Sequence, residues 1–325
     1  MDKNSLIGLL LIGAIIIGFG VYNQPSQEEI DAARRRNDSI ALVQAKVKEL
    51  ATEDVKREQD LTSVKESTPL DSFEIAFKDS VAQVQISSAY GEFSSSALIE
   101  DRDIVVENDV MIITFSTRGG SVKSVELKDY QTYDSLPLVL LDEQSRFGLN
   151  FFTRSNKNIV TEELGFVSSS DGFTISGDEE KSIAFRLNST DGSYLEFNYS
   201  IRGNDYMVGA DINMVGLEKV LAPRTSELLL DWKVNTPSLE KSRQSQVEKS
   251  TLYYKYDEQD VDYISERSDE KEDFEADIKW VSLKQQFFNT SIIADNSFSK
   301  YNAFGETQTF GDSSKYIKAL STTLS

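Results

Sequence analysis

Residues 191–215 read DGSYLEFNYSIRGNDYMVGADINMV, and this stretch decides the fold. From Tyr194 to Ile201, Leu195, Phe197, Tyr199 and Ile201 fall on one side of an extended chain, and Glu196, Asn198 and Ser200 fall on the other. A period of two belongs to a strand with one face in a core and one in water. Met207 to Val215 repeats it, with Val208, Ala210, Ile212 and Met214 opposed by Asp211 and Asn213, so a second strand with a buried apolar face is expected. Asp191-Gly192 and Gly203-Asn204-Asp205 bound the first run with residues that close tight turns or accept positive φ.

Further out, the same alternation sets Leu228, Leu230, Trp232 and Val234 against Asp231 and Lys233, and groups Met111, Ile113 and Phe115. Gly119-Gly120 and Asp171-Gly172 add turn signals. From about Ile104 onward roughly a dozen strands are expected, spaced as in an all-β, antiparallel sandwich. The scarcity of long helical stretches and the absence of a phosphate-binding glycine loop argue against a parallel βαβ architecture. One segment breaks the period. Residues 279–295 read KWVSLKQQFFNTSIIAD, in which Trp280, Leu283 and Phe287 have the spacing of a helical face before Thr290 to Ala294 returns to strand-like residues. The spacing predicts a short helix whose aromatics plug one end of the sandwich, with a partner-binding surface as the alternative.

With 325 residues and 39% hydrophobic side chains the chain can build a large core. Its 34 basic and 54 acidic residues give a net charge of −20, spread along its length, and a polyanion repels nucleic acid. Cysteine and histidine are absent. No thiol nucleophile, no Cys/His zinc site, no Ser-His-Asp triad and no lipid-modified cysteine can be assembled without them.

At the amino terminus Leu6 to Tyr22 reads LIGLLLIGAIIIGFGVY, without a charge. At 1.5 Å per residue it covers about 25 Å of the roughly 30 Å hydrocarbon layer, so residues 1–24 are expected to anchor the chain in a lipid bilayer. Asn23, Gln24 and Pro25 follow without an A-x-A-like cleavage site, which favours an uncleaved anchor over a signal peptide. Arg34, Arg35 and Arg36 lie downstream, but long domains translocate largely regardless of charge, so the short amino terminus with Lys3 is expected to face the cytoplasm. Ser26 and Glu29 match a capping box, and a membrane-proximal amphipathic helix is expected to run to about Leu50. From Thr52 to about Ser80 rising polarity and Pro69 read as a tether. Residues 25–80 thus connect the anchor to a domain over residues 81–325.

Two segments together resemble the YidC family of membrane protein insertases. Val110 to Tyr130, VMIITFSTRGGSVKSVELKDY, is similar to that family's opening strand, Gly-Gly turn and returning strand ending in L-x-x-Y, here Leu127 and Tyr130. Trp280 to Phe288, WVSLKQQFF, is similar to its W-x-x-x-K-x-x-F/Y-F signature, with Trp280, Lys284, Phe287 and Phe288 in place. The resemblance implies a mutarotase-like supersandwich in the periplasm of a bacterial inner-membrane protein. It also implies Sec translocon components and nascent membrane proteins as partners. Insertion in that family is performed by five further transmembrane helices, and no second apolar run of membrane length follows Tyr22, so these residues are not expected to insert proteins by themselves.

Mutarotase chemistry relies on a histidine acid, which this chain lacks. The carboxylates Asp257, Glu258, Asp260 and Asp262 lack the glycine and terminal glutamate of a calcium loop, and Asp269, Glu270, Glu272 and Asp273 surround Lys271 in a polar stretch. Both read as solvated acidic loops. No catalytic, cofactor or metal residue is assigned, and binding residues stay open. Two functions remain: a non-enzymatic accessory domain of an insertase, or an anchored binding module for a glycan or envelope protein.

Overall fold

A computed structural model describes residues 83–223 and 228–325. The expected anchor over Leu6 to Tyr22, the helix from Ser26 to Leu50 and the tether from Thr52 to Ser80 lie outside the described residues. Among the described residues no helix is long and apolar enough to cross a membrane.

Strands are numbered in chain order. One antiparallel sheet, closed by a parallel edge strand, runs β4 (Pro137–Leu141), β3 (Ser121–Gln131), β2 (Met111–Ser116), β1 (Asp103–Glu107) and β8 (Gly172–Thr174). A second runs β11 (Val208–Val215), β10 (Tyr194–Arg202), β9 (Glu180–Asn188) and β7 (Val167–Ser168). Six strands form the third: β15 (Glu270–Asp273), β18 (Phe304–Thr309), β19 (Tyr316–Leu324), β12 (Leu229–Pro237), β5 (Arg146–Phe152) and β6 (Asn158–Val160). The fourth runs β14 (Val261–Tyr263), β13 (Thr251–Tyr256), β16 (Ile278–Lys284) and β17 (Asn289–Phe298).

The sheets pack face to face in two sandwiches. Phe115 of β2 lies against Phe185 of β9 and Tyr199 of β10, with ring centroids 5.4 and 4.9 Å apart. In the other sandwich β13 packs on β18 and β19, and β16 on β19. The two share a core, because β12 also touches β4, and Phe147 of β5 meets Phe197 of β10 edge-on. The Gly119-Gly120 turn joins β2 to β3 with φ of 81° and 62°.

The alternation in β10 is obeyed: Leu195, Phe197, Tyr199 and Ile201 are buried and their neighbours are not. In β11 the period is right and the burial is not. Val208, Ala210, Ile212 and Met214 pair with Ile201, Tyr199, Phe197 and Leu195. Ile212 and Met214 are nevertheless 41% and 48% exposed, because among the described residues no layer covers β11 as one covers β10.

Two other expectations change. Trp280 and Leu283 share no helical face, since residues 278–284 form β16, with Val281 and Leu283 in the core and Trp280 and Lys284 on the other side. Glu270 to Asp273 is not a loop, because β15 occupies it as an edge strand on β18. Tyr254 donates to Glu272 there (2.9 Å), and the Lys271 ammonium sits 3.6 Å from the centre of the Phe304 ring. The entry into the sandwich is helical: residues 83–90 are α-helical and Gly91–Leu98 form a 3-10 helix. Phe93 is fully buried there, edge-on to Phe151, and Ser96 Oγ donates to Asn188 O (3.0 Å).

Lys318 of β19 is buried, and its ammonium donates to Ser250 O (2.9 Å) and Glu266 O (2.8 Å). Burial lowers its pKa, opposed by the charges of Asp269 and Glu266. A lysine whose folded pKa lies below the unfolded value of about 10.4 carries its full burial cost below the folded pKa, and that cost is relieved as pH rises toward the unfolded one. Urea unfolding of the native chain and Lys318→Met is therefore expected to show the native chain gaining on the variant as pH rises through that window. A difference that stays flat, or runs the other way, excludes a strained buried charge.

Candidate functional site

Among the described residues β11 and β17 are each paired on one side only, and they do not pair with each other. Between them lies a groove of about 660 Å³. One wall is Tyr206, Met207, Val208 and Ala210, and the other is residues 287–293. The floor comes from the inward faces of β2, β3, β4 and β5, including Met111, Ile113, Leu127 and Phe147, together with Trp232 of β12.

Local sequence explains each part. Met111 and Ile113 point inward by the strand period that buries Phe115. Phe287 and Phe288 lie in the short turn between β16 and β17, where Gln285 N donates to Phe288 O (2.7 Å). That turn leaves Phe287 67% exposed and sets Phe288 edge-on to Tyr130, with ring centroids 5.3 Å apart at 86°. The two segments that carry the family resemblance therefore meet at the mouth of one groove, although about 150 residues separate them in the chain. Their other members divide. Leu127 lines the floor, whereas Trp280 and Lys284 sit on the outer face of β16.

The groove is apolar and nearly uncharged. Among the described residues Arg146 is its single charged lining residue, and the guanidinium is engaged, with NH1 donating to Glu143 O (3.1 Å) and Ser145 O (3.2 Å) and Nε lying 3.8 Å from Glu162 Oε2. Burial lifts the Glu162 carboxyl above the usual range, against the pull of Arg146. On the floor, burial raises the Tyr199 phenol, which donates to Gly120 O (3.1 Å). Such a lining holds apolar side chains by desolvation and presents no charged pair poised for proton transfer. Among the described residues no cluster of three or more acidic side chains is placed to hold a metal ion.

The wall at Tyr206 to Ala210 was not legible as a site. Its alternation predicts core, whereas Tyr206, Met207 and Ala210 are exposed and stand as a wall.

A second surface lies on the outer face of the β13–β16 sheet. Tyr253 and Tyr263 stack there with centroids 5.1 Å apart, beside Trp280, Lys284 and a Ser282–Ser291 hydrogen bond of 2.8 Å. The acidic residues Asp257, Glu258, Asp260 and Asp262 border a shallow depression between β13 and β14.

Residues 103–324 match the YidC periplasmic domain. Over 319 residues the chain is 33% identical to the membrane protein insertase YidC of Parabacteroides distasonis, covering 98% of this chain and 48% of that protein. Over 320 residues it is 32% identical to the same-named protein of Phocaeicola vulgatus, covering 98% and 46%. The corresponding protein of Cytophaga hutchinsonii is 26% identical over 293 residues, covering 90% and 42%. The chain thus spans about half the length of the curated relatives it matches. Among solved structures, a galactose mutarotase related enzyme from Lactobacillus acidophilus aligns with a TM-score of 0.39 and 11% identity, over 68% of this chain and 84% of that one.

Proposed function

The chain belongs to the YidC family of membrane protein insertases, and from that premise we propose that its β domain is the chain-receiving part of an insertase, with the groove between β11 and β17 holding extended apolar segments of membrane proteins on their way to the bilayer. The observation that carries this reading is the groove itself: two open strand edges over a deep apolar floor, with the two family segments joined at its mouth by Tyr130 and Phe288. In this reading Leu6 to Tyr22 anchors the chain in the bacterial inner membrane with its amino terminus in the cytoplasm. Residues 25–80 link the anchor to the domain, and residues 81–325 face the periplasm beside Sec translocon components. The role is accessory and non-catalytic, because holding an apolar segment requires desolvated surface and no bond chemistry.

Crosslinking tests it. Phe287→benzoylphenylalanine, in the protein in its native membrane, is expected to give light-dependent adducts with newly made inner-membrane proteins, well above those from Tyr301→benzoylphenylalanine. Tyr301 is equally exposed but does not line the groove. Equal yields from the two positions would remove the groove from the function.

The Tyr253–Tyr263 face favours a second reading, a saccharide-binding module, since flat aromatics beside hydroxyl and ammonium groups fit the apolar face and hydroxyls of a sugar. Retention on immobilised envelope glycans, lost in Tyr263→Ala, would promote it.

A further inference from the structure

Exposed strand edges are templates for other chains, and proteins blunt them by shortness, proline, charge or irregular pairing. Among the described residues most edges here are blunted. β6, β7, β8 and β14 have two or three residues each. β4 begins at Pro137 and pairs irregularly with β3, and all four residues of β15 are charged. β17 is long, but its pairing with β16 slips between Ile278 and Trp280. β11 carries a single charge, Asp211, and none of the other devices. Its eight residues keep eight consecutive partners on β10 without a shift, contain no proline and no basic residue, and expose Ile212 and Met214.

We propose that β11 is a docking edge for an extended polypeptide segment, which adds to the β7-β9-β10-β11 sheet as a fifth strand with apolar side chains toward the groove and basic side chains outward. The inference rests on the groove as a binding site for arriving chains and states how they are held. Alternate residues of β11 direct N–H and C=O groups away from β10, and a guest strand satisfies them with its own main chain, whatever its sequence. Its inward side chains extend the apolar row of Val208, Ala210, Ile212 and Met214 over the groove. Its outward side chains meet Asp211 and Asn213. Asp211 is exposed and forms no ion pair among the described residues, whereas the neighbouring Glu196 is already held by Arg186 and Asn213. A basic residue opposite Asp211 is therefore favoured. The same charge argues against a second copy of this chain, since self-pairing brings together two molecules of net charge −20.

The test uses the full chain in lipid nanodiscs and a nine-residue peptide alternating lysine with valine or isoleucine, followed by fluorescence anisotropy. Two analogues carry N-methyl groups, one on the amides of the apolar residues and one on those of the lysines, which block main-chain pairing on one side each and keep every side chain. The expected result is a loss of about tenfold or more in affinity for at least one analogue, with a comparable loss for the parent peptide on Asp211→Lys. If the parent and both analogues bind alike, edge pairing is overturned while the groove reading stands. If the parent does not bind and Phe287 still crosslinks to membrane proteins, the edge proposal alone fails; absence of both removes the two together. Dimerisation by light scattering that Ile212→Lys abolishes would assign the edge to a second copy, against the proposal.

Discussion

Phe115→Ala is expected to destabilise the domain by about 3–5 kcal/mol, the range for an aromatic deleted from a packed core. Phe115 is fully buried at the centre of one sandwich, and its ring touches Phe185 and Tyr199, so neither opposing strand can collapse into the space without moving the other. Thermal unfolding should fall by roughly 10 °C for a domain of this size. Phe287→Ala, an aromatic of the same volume on the groove rim, should stay within about 0.5 kcal/mol of the native chain. The pair separates folding from function: the first variant loses stability, and the second keeps the fold and loses groove contacts. A similar loss of stability in both would mean that the rim is part of the core.

Gly120→Ala is expected to cost about 2–5 kcal/mol, measured by urea unfolding. Its φ of 62° lies in the left-handed region, where an added Cβ costs about 1–2 kcal/mol by itself. That Cβ would also stand 2.6 Å from Phe166 Cδ1 and 3.0 Å from Phe185 Cβ, and overpacking of this kind adds about 1–3 kcal/mol. Phe166 cannot swing aside freely, because it stacks on Phe197 at 5.4 Å. Gly192 supplies the control, with a φ of 87° and nothing within 4 Å of a built Cβ. Gly192→Ala should therefore show the backbone cost alone, and equal losses at the two positions would remove the packing argument.

What the sequence discloses depends on the distance over which a signal acts. The β10 face was legible because four large apolar side chains alternate with polar ones over eight residues, and the strand period requires nothing from the rest of the chain. The same period in β11 predicted burial that does not occur, since alternation reports which way side chains point and not whether a layer lies opposite. Trp280, Leu283 and Phe287 show the opposite error. Across seven residues a three-and-four spacing looks helical, but β13, some 25 residues upstream, pairs with this segment from Thr251 to Tyr256 and holds it extended. The 3-10 entry at Gly91–Leu98 carries three consecutive serines and no apolar period, so only the burial of Phe93 reveals its role. The groove was the least legible feature. Its rim unites Tyr130 with Phe288, which no local pattern can place side by side.

The position of β19 bears on the order in which the domain can be completed as its chain is made. β19 is central, between β18 and β12, and β12 in turn pairs with β5, some 80 residues earlier. A ribosome releases the chain from the amino terminus, so β5, β6 and β12 emerge first and wait with one side of β12 unpaired until Tyr316–Leu324 arrives. Pairings of such long sequence separation form slowly, and unpaired edges are where nascent chains go astray. The sandwich built on β2 and β10 lies wholly upstream of residue 216 and has no such wait. Synthesis therefore yields one half of the domain early, and the other closes only when its innermost strand has appeared.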